Sequence, residues 1–362
     1  MSRPITATIH TDALRHNLLA MRARAPGRRL MAMVKADGYG HGLETAALAL
    51  RGADAFGVAA IEDAARIRAV GLEQPILVLS GFDNAGDLDQ LRRLRAEAIV
   101  HHAAQLDMLE QTDGAPIRVW LKIDTGMHRL GFAPAAVAEA HTRLRQARGV
   151  TGDIVLMTHF ASSDEFDPGA PNALQTPAQL RAFAAATAGL AGPRSLANSA
   201  AVLGWSDAHG DWIRPGGALY GMSVVAGRTG ADFGLRAAMT FETRLLAVNR
   251  VARGERIGYS ATWEAPEDMP VGIAAVGYGD GYPRLAPAGT PVLVNGRAAR
   301  VVGRVSMDLM TIDLRGQPDA RAGDPVTLWG DALPVEQVAD AAGTISYALT
   351  CGITRRVAFR TD

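Results

Sequence analysis

Residues 31–42 constrain this chain most, because an apolar run there ends at a single lysine and a glycine-rich turn follows at once. The run has strand character, and residues 43–50 after the turn have the pattern of a helix. A lysine at the end of a buried strand is costly to desolvate unless its amine is neutral or covalently bonded. Burial also lowers the pKa of an amine and frees it as a nucleophile. Lys35 is therefore either a lysine that reaches solvent or the covalent carrier of a carbonyl cofactor.

Length and composition narrow the class of protein. The 362 residues predict two domains, and 48% hydrophobic with 20% charged residues is typical of a soluble globular enzyme. A formal net charge of zero gives no reason to expect nucleic acid or a membrane as a partner. The single cysteine, Cys351, excludes an intrachain disulfide and is expected to be a buried small hydrophobe. The N-terminus lacks the apolar core of a signal peptide, so a cytoplasmic location is expected.

Eight short, mostly apolar segments alternate with helical patterns, as in a parallel sheet that is buried on both faces. They lie at residues 31–35, 56–60, 75–80, 98–101, 117–123, 154–159, 195–198 and 212–218. A helix at residues 12–24 is predicted before the first of them. Eight βα units of this length predict a closed (β/α)₈ barrel rather than an open doubly wound sheet.

The pattern changes at about residue 233, beyond which antiparallel strands are predicted. They lie at residues 240–251, 271–276, 291–294, 298–305, 309–314 and 326–329, and a helix at 335–342 and a strand at 356–359 follow. Asn295-Gly296 is a hairpin turn between two of these strands. The predicted fold class is α/β, with an N-terminal (β/α)₈ TIM-type barrel at residues 1–232 and a C-terminal, mainly antiparallel all-β domain at residues 233–362.

Polar residues lie at the ends of the predicted barrel strands, where the catalytic groups of such barrels are found. They are Lys35, Lys122, Asp124, Arg129, His159, Asn198, Ser199 and Arg214. Ser199 and the Gly216-Gly217 pair follow the last two strands, the usual phosphate site of this fold, and offer a hydroxyl and backbone N–H donors. A lysine, a phosphate cradle and a polar ring at one mouth suggest pyridoxal 5'-phosphate as the cofactor.

Residues 34–42, Val-Lys-Ala-Asp-Gly-Tyr-Gly-His-Gly, resemble the cofactor-lysine signature of alanine racemases. The resemblance continues at residues 122–127, 158–160, 198–199, 214–216, 258–259, 277–281 and 303–308. The segments are specific jointly, in this order and across two domains. The Lys35 segment alone would also suit other barrel-type pyridoxal phosphate enzymes.

The resemblance implies a two-base racemisation of alanine. Lys35 would carry the cofactor and be the base on the D face, and Tyr259 would be the base on the L face. The cofactor-binding residues that it implies are Lys35, Tyr39, His159, Asn198, Ser199, Arg214, Gly216, Gly217 and Tyr347. Arg214 would contact the pyridine nitrogen, and because a guanidinium does not yield its proton, the cofactor would be a weaker electron sink that resists transamination.

Further residues are implied to contact the substrate or support the site. Arg129 would contact the cofactor's phenolic oxygen and the substrate carboxylate, and Met307 would contact that carboxylate through its backbone. Supporting roles fall to Tyr278, to Asp308 and to Lys122, which family members often carry as a carbamate that orients the arginine. No metal site is expected.

The resemblance also implies a homodimer with shared active sites, and D-alanine either supplied for peptidoglycan or catabolised. One alternative is a broader racemase acting on alanine and serine. A barrel-type pyridoxal phosphate decarboxylase would place a carboxylate at the ring nitrogen, so Arg214 argues against it. A non-catalytic pyridoxal phosphate-binding protein made of the barrel alone conflicts with the β domain that bears Tyr259. Gly217 departs from the family, where many relatives carry a branched apolar residue.

Overall fold

The computed structural model describes residues 4–225 and 227–362. The helices of these residues are α1 (Thr11–Arg24), α2 (Lys35–Gly40), α3 (Leu43–Ala49), α4 (Ile61–Ala69), α5 (Ala85–Leu94), α6 (Ala103–Gln111), α7 (Val137–Gln146), α8 (Gln175–Ala186), α9 (Ser199–Gly204), α10 (Val335–Ala341) and α11 (Ser346–Cys351). The strands are β1 (Thr6–Ile9), β2 (Arg29–Met33), β3 (Ala55–Val58), β4 (Ile76–Val78), β5 (Glu97–Val100), β6 (Val119–Lys122), β7 (Val155–Met157), β8 (Arg194–Ser195), β9 (Trp212–Ile213), β10 (Met239–Val251), β11 (Arg256–Ile257), β12 (Trp263–Glu264), β13 (Met269–Ala274), β14 (Pro291–Val294), β15 (Arg297–Val302), β16 (Met310–Asp313), β17 (Pro325–Trp329) and β18 (Ala358–Thr361). Within the described ranges, no helix is both long and apolar enough to cross a membrane.

Strands β2 to β9 form a closed parallel barrel, which confirms the predicted fold class. Each strand pairs with the next along the chain, and β9 returns to β2 with Trp212 opposite Arg29. Side chains fill the barrel rather than leaving a pore, and the rings of Trp120 and Trp212 lie 5.5 Å apart inside it. Because the interior is packed, the C-terminal mouth of the barrel is the face left for a site.

The short segment α2, which joins β2 to α3, forms a left-handed rather than a right-handed turn. Residues 36–39 all have left-handed backbone angles, with φ between 53° and 62°, although only Gly38 among them is a glycine. A left-handed helical conformation costs other L-residues roughly 1–2 kcal/mol each. The Asp37 carboxylate helps to hold the turn, because Oδ1 accepts the Leu43 N–H at 3.0 Å and an Arg66 N–H at 2.8 Å.

The C-terminal part of the chain forms the predicted all-β domain. Its sheet has the order β13-β16-β15-β14-β17-β10-β1-β18, and a further pairing of β13 with the long strand β10 joins its two arms. The hairpin turn predicted between β14 and β15 is confirmed, with positive φ at both Asn295 and Gly296. This domain carries several of the residues expected at the site.

The structure differs from the sequence predictions at both ends of the barrel segment. Strand β1 was not predicted, and it joins the C-terminal sheet, antiparallel to β10 and parallel to β18. The last barrel strand ends at Ile213 rather than at residue 218, because Pro215 lacks an N–H and a 3-10 segment, Gly217–Tyr220, follows. The barrel and β-domain ranges, 1–232 and 233–362, stay a prediction.

Candidate active site

The barrel brings six of the predicted residues to its C-terminal mouth. Parallel strands present their carboxyl ends at one side of the barrel, so residues at or just beyond those ends meet there. They are Lys35 after β2, Lys122 at the end of β6, His159 after β7, Asn198 and Ser199 after β8, and Arg214 after β9. The loop after β6 adds Arg129, whose charge acts on Lys35, Lys122 and His159.

Positive charge dominates this mouth. The pKa of the Lys35 amine is lowered by burial first, and then by the charge of Arg129 and of Arg214. Burial and the same two arginines also hold the pKa of His159 well below its usual range, so its imidazole is neutral at physiological pH. A binding site with this positive charge favours an anionic ligand and a neutral, nucleophilic lysine.

Lys122 is buried, 7% exposed, with no carboxylate close enough to pair with it among the described residues. Burial and then Arg129 lower its pKa to about 8. The charge of Asp124 acts in the opposite direction but is the smallest of these effects, and its Oδ1 accepts backbone N–H groups of its own loop. The donors are Gly126 at 3.0 Å, Met127 at 3.1 Å and His128 at 3.0 Å.

Arg214 is fixed by neutral groups alone. Its Nη1 donates to the Ser195 hydroxyl at 2.7 Å, and its Nη2 donates to the Thr158 and Leu196 carbonyls at 2.8 and 3.2 Å. Burial lowers its pKa to about 9, which leaves the guanidinium charged at neutral pH. Within the described residues Nε has no hydrogen-bond partner, so a charged donor is left over for a ligand.

Ser199 lies at the centre of the expected phosphate cradle. Its Oγ accepts the N–H of Gly216 at 2.8 Å and of Ala218 at 3.3 Å. A serine oxygen that accepts two N–H groups has only its O–H left to offer, and that hydroxyl is a donor suited to a phosphate. The side chain thereby ties the loop after β9 to the start of α9.

Two tyrosines crowd the glycines of this loop. A Cβ at Gly216 would lie 2.3 Å from the Tyr39 hydroxyl, and a Cβ at Gly217 would lie 2.4 Å from the Tyr347 hydroxyl. The two rings are 5.5 Å apart, and burial raises the pKa of both phenols, so both keep their protons. Gly217 therefore does more than provide a flexible N–H, since a side chain there would displace Tyr347.

Asn198 has a local structural role. Its side-chain oxygen caps α9 by accepting the Ala201 N–H at 3.0 Å, and it also accepts the Ser163 hydroxyl at 2.9 Å. The oxygen is thus occupied, and only the side-chain NH₂ is left to face a ligand.

The residues that the β domain was expected to contribute are not among the charged groups of the same chain that shift the pKa of Lys35. Tyr259 is 67% exposed, Met307 52% and Tyr278 37%. Tyr278 and Met307 lie on one loop cluster, because the Tyr278 N–H donates to Ser306 and the Gly279 N–H donates to Met307. The Asp308 carboxylate pairs with Arg356.

Two features of the mouth were missed or misjudged from the sequence. Lys35 and Lys122 are the only two lysines in the whole chain, and every other residue of the Lys and Arg total is an arginine. That count was available from the sequence and marks both residues as special. The prediction that Cys351 is buried was wrong, because the residue ends α11 and is exposed.

Comparison with known proteins agrees with this architecture. A family model for the N-terminal domain of alanine racemase matches residues 9–224, and one for its C-terminal domain matches residues 238–361. The alanine racemase of Nitrosococcus oceani is 51% identical over 97% of both chains. That of Halorhodospira halophila is 47% identical over 99% of this chain and 97% of its own.

Solved structures give the same result. The crystal structure of biosynthetic alanine racemase from Pseudomonas aeruginosa superposes with a TM-score of 0.94 at 44% identity, covering 99% of both chains. Alanine racemase from Acinetobacter baumannii gives 0.91 at 34% identity, covering 99% of this chain and 100% of that one. The chain therefore belongs to the alanine racemase family, the isomerases that interconvert L- and D-alanine.

Proposed function

We propose that the racemisation uses two proton carriers, the Lys35 amine on the D face and the Tyr259 phenol on the L face. Inversion at Cα requires a proton removed from one side and another delivered to the opposite side. The observation that carries the proposal is the desolvated Lys35 amine, whose pKa is lowered by burial and by Arg129 and Arg214, which favours its neutral, proton-accepting form. In D₂O, Tyr259→Phe should abolish deuterium entry from L-alanine but keep entry from D-alanine, whereas Lys35→Ala, which also removes the anchor of the cofactor, should abolish both. Wild-type rates in Tyr259→Phe would refute the second base.

We propose pyridoxal 5'-phosphate as the cofactor, and the donors at the mouth fit it. Ser199, the backbone N–H of Gly217, Tyr39 and Tyr347 would hold the phosphate, since all offer O–H or N–H groups in one place. Gly216, whose own N–H donates to Ser199 Oγ, would hold that hydroxyl in position. The NH₂ group of Asn198 and the neutral ring of His159 would line the same cofactor-binding site. When bound, the cofactor withdraws electrons from the substrate Cα and acidifies its proton.

Arg214 would donate to the pyridine nitrogen and leave it unprotonated, since a guanidinium keeps its protons. Support comes from its three hydrogen bonds to neutral acceptors and its remaining Nε–H. The same arginine disfavours the decarboxylase alternative, which would use a carboxylate. Arg214→Glu should raise the rate of transamination relative to racemisation, as measured by pyruvate release. An unchanged ratio would contradict this role.

Substrate binding falls to Arg129, for the carboxylate, and to the Met307 backbone N–H. We propose that Lys122 carries a carbamate that orients Arg129, because an amine with a pKa of about 8 is neutral often enough to react with CO₂. Tyr278 would narrow the entrance and Asp308 would steady the loop of Met307 through Arg356. A panel of L-amino acids tested for D-product separates an alanine racemase from one that also accepts serine.

We propose a homodimer in which Tyr259 and Met307 of each subunit complete the site at the partner's barrel mouth. Their exposure in the single chain supports this arrangement. Mixing Lys35→Ala with Tyr259→Phe subunits should restore about a quarter of wild-type activity, because half the dimers are mixed and one of their two sites is intact. Mixing Lys35→Ala with Arg214→Ala is the matched control and should restore none, since both residues belong to one barrel. No restoration in the first mixture would exclude shared sites.

We also propose a cytoplasmic, biosynthetic enzyme that supplies D-alanine for peptidoglycan. The likeness to the biosynthetic alanine racemase of Pseudomonas aeruginosa supports this choice over a catabolic role. Rescue of a D-alanine-requiring bacterium by the expressed chain tests it, and no growth from an active enzyme would argue for catabolism.

A further inference from the structure

His41 ends the signature segment but has no part in the chemistry proposed above. Its ring is 2% exposed and lies at the end of α2. Nδ1 is 2.9 Å from the Tyr39 carbonyl oxygen and 3.1 Å from that of Gly38. Carbonyls only accept, so Nδ1 carries the proton and donates to both. This makes the Nδ1–H form the tautomer of His41, with Nε2 unprotonated, because burial lowers the pKa of the ring to about 4.

The two carbonyls that accept this bond belong to the left-handed turn at residues 36–39. Strained backbone of this kind persists only when its surroundings hold it in place. The backbone N–H of His41 also donates to Gly38, at 3.0 Å, and the Gly42 N–H donates to Asp37, at 2.9 Å. His41 thus supplies a main-chain and a side-chain bond to one strained segment.

The same ring connects the turn to the phosphate cradle. It lies 4.7 Å from the ring of Tyr220, which lies 4.9 Å from the ring of Tyr39. The Tyr220 hydroxyl donates to the Met33 carbonyl at 3.1 Å, at the end of β2 and just before Lys35. Tyr220 therefore links the His41 ring to both ends of the turn.

We propose that His41 is a positioning residue for the cofactor. Its neutral Nδ1–H side chain locks the left-handed turn, so that Lys35 at one end and the Tyr39 hydroxyl at the other meet the same cofactor. The proposal rests on the proposed attachment of pyridoxal phosphate to Lys35, and its tests therefore include measurements on the protein without cofactor.

The first test compares His41→Leu, which removes the donor, with His41→Asn, whose side-chain N–H can replace the Nδ1 donor. His141→Leu is the matched control, because His141 is also buried, 5% exposed, and bonds a carbonyl, that of Ala191 at 2.9 Å, far from the mouth in α7. The measurements are the dissociation constant of pyridoxal phosphate, from fluorescence titration, and hydrogen exchange of the Gly38 and Gly42 amides.

We expect His41→Leu to weaken cofactor binding about tenfold and to speed exchange of both amides by a similar factor, as for one lost buried hydrogen bond. His41→Asn should recover most of both, and His141→Leu should change neither. Wild-type values in His41→Leu would overturn the proposal. Equal losses in the Asn and Leu variants would also overturn it, because they would assign the effect to packing alone.

The second test uses the wild-type protein and needs no variant to fold. Nitrogen-15 NMR of the imidazole in the cofactor-free chain should give a protonated Nδ1 and an unprotonated Nε2 at neutral pH. An Nε2–H tautomer would overturn the proposal. If the tautomer and the exchange data agree but no pyridoxal phosphate binds Lys35, then the proposed cofactor fails while the lock on the turn stands.

Discussion

Lys122 yields the prediction that depends most directly on the electrostatics of the mouth. A lysine of ordinary pKa, near 10.4, is neutral in about one molecule in 2,500 at pH 7. With its pKa lowered to about 8, Lys122 is neutral in about one in ten, roughly a 250-fold gain in the form that reacts with CO₂. The product carries a negative charge beside Arg129, where the amine carried a positive one. Carbamate formation should therefore be favoured both by the free amine and by the field around it.

The assay is carbon-13 NMR of the protein in labelled bicarbonate, and Lys122→Arg is the perturbation. Because the chain has only two lysines, a lysine carbamate signal that disappears in Lys122→Arg belongs to that residue. The variant keeps the positive charge but cannot form the carbamate, so Arg129 loses one charge-assisted contact of about 1.5–3 kcal/mol. We expect kcat/KM for alanine to fall about 10- to 150-fold. A wild type without the signal, together with an unchanged kcat/KM in Lys122→Arg, would refute the reasoning.

Three further predictions follow from the same site. Gly217→Ala should push the Tyr347 hydroxyl aside and weaken pyridoxal phosphate binding about tenfold. Adding Tyr347→Phe to Gly217→Ala should weaken binding little further, which fluorescence titration of the two single variants and the double variant can check. Arg214→Lys should destabilise the protein by about 2–4 kcal/mol in urea unfolding, because an ammonium cannot make the three hydrogen bonds of the guanidinium fork. Without cofactor and bicarbonate, the free energy of unfolding should rise between pH 8 and 10.5, because in this range Lys122 binds more protons in the unfolded chain than in the folded one. Lys122→Met should reduce the slope of the free energy of unfolding against pH. A slope unchanged in this variant would contradict the lowered pKa.

The features that the sequence predicted well are those with a local pattern. Apolar segments with polar residues at their ends predicted the barrel, and Asn295-Gly296 predicted a hairpin, because each depends on neighbours along the chain. Strand β1 escaped because its partners, β10 and β18, lie more than two hundred residues away. No local pattern encodes such a pairing.

The sequence predicted which residues lie at the barrel mouth, whose roles stay predictions, but it did not predict the conformation of the turn after Lys35. Ala36, Asp37 and Tyr39 favour right-handed backbone, so nothing in them indicates a left-handed turn, which depends on outside groups such as His41. The tight fit of Gly217 against Tyr347 was likewise invisible, because the two residues meet only in the fold. That a partner subunit supplies Tyr259 to the site stays a prediction.

The central claim is that one lysine at the barrel mouth holds the cofactor, and reductive trapping tests it most directly. Borohydride reduction of the purified enzyme, followed by digestion and mass spectrometry, assigns the pyridoxyl group to a peptide, and the chain offers only Lys35 and Lys122 as side-chain amines. We predict a pyridoxyl group on Lys35 in the wild type and in Lys122→Arg, and none in Lys35→Ala. A pyridoxyl group on Lys122, or no labelled lysine in an active enzyme, would contradict the account.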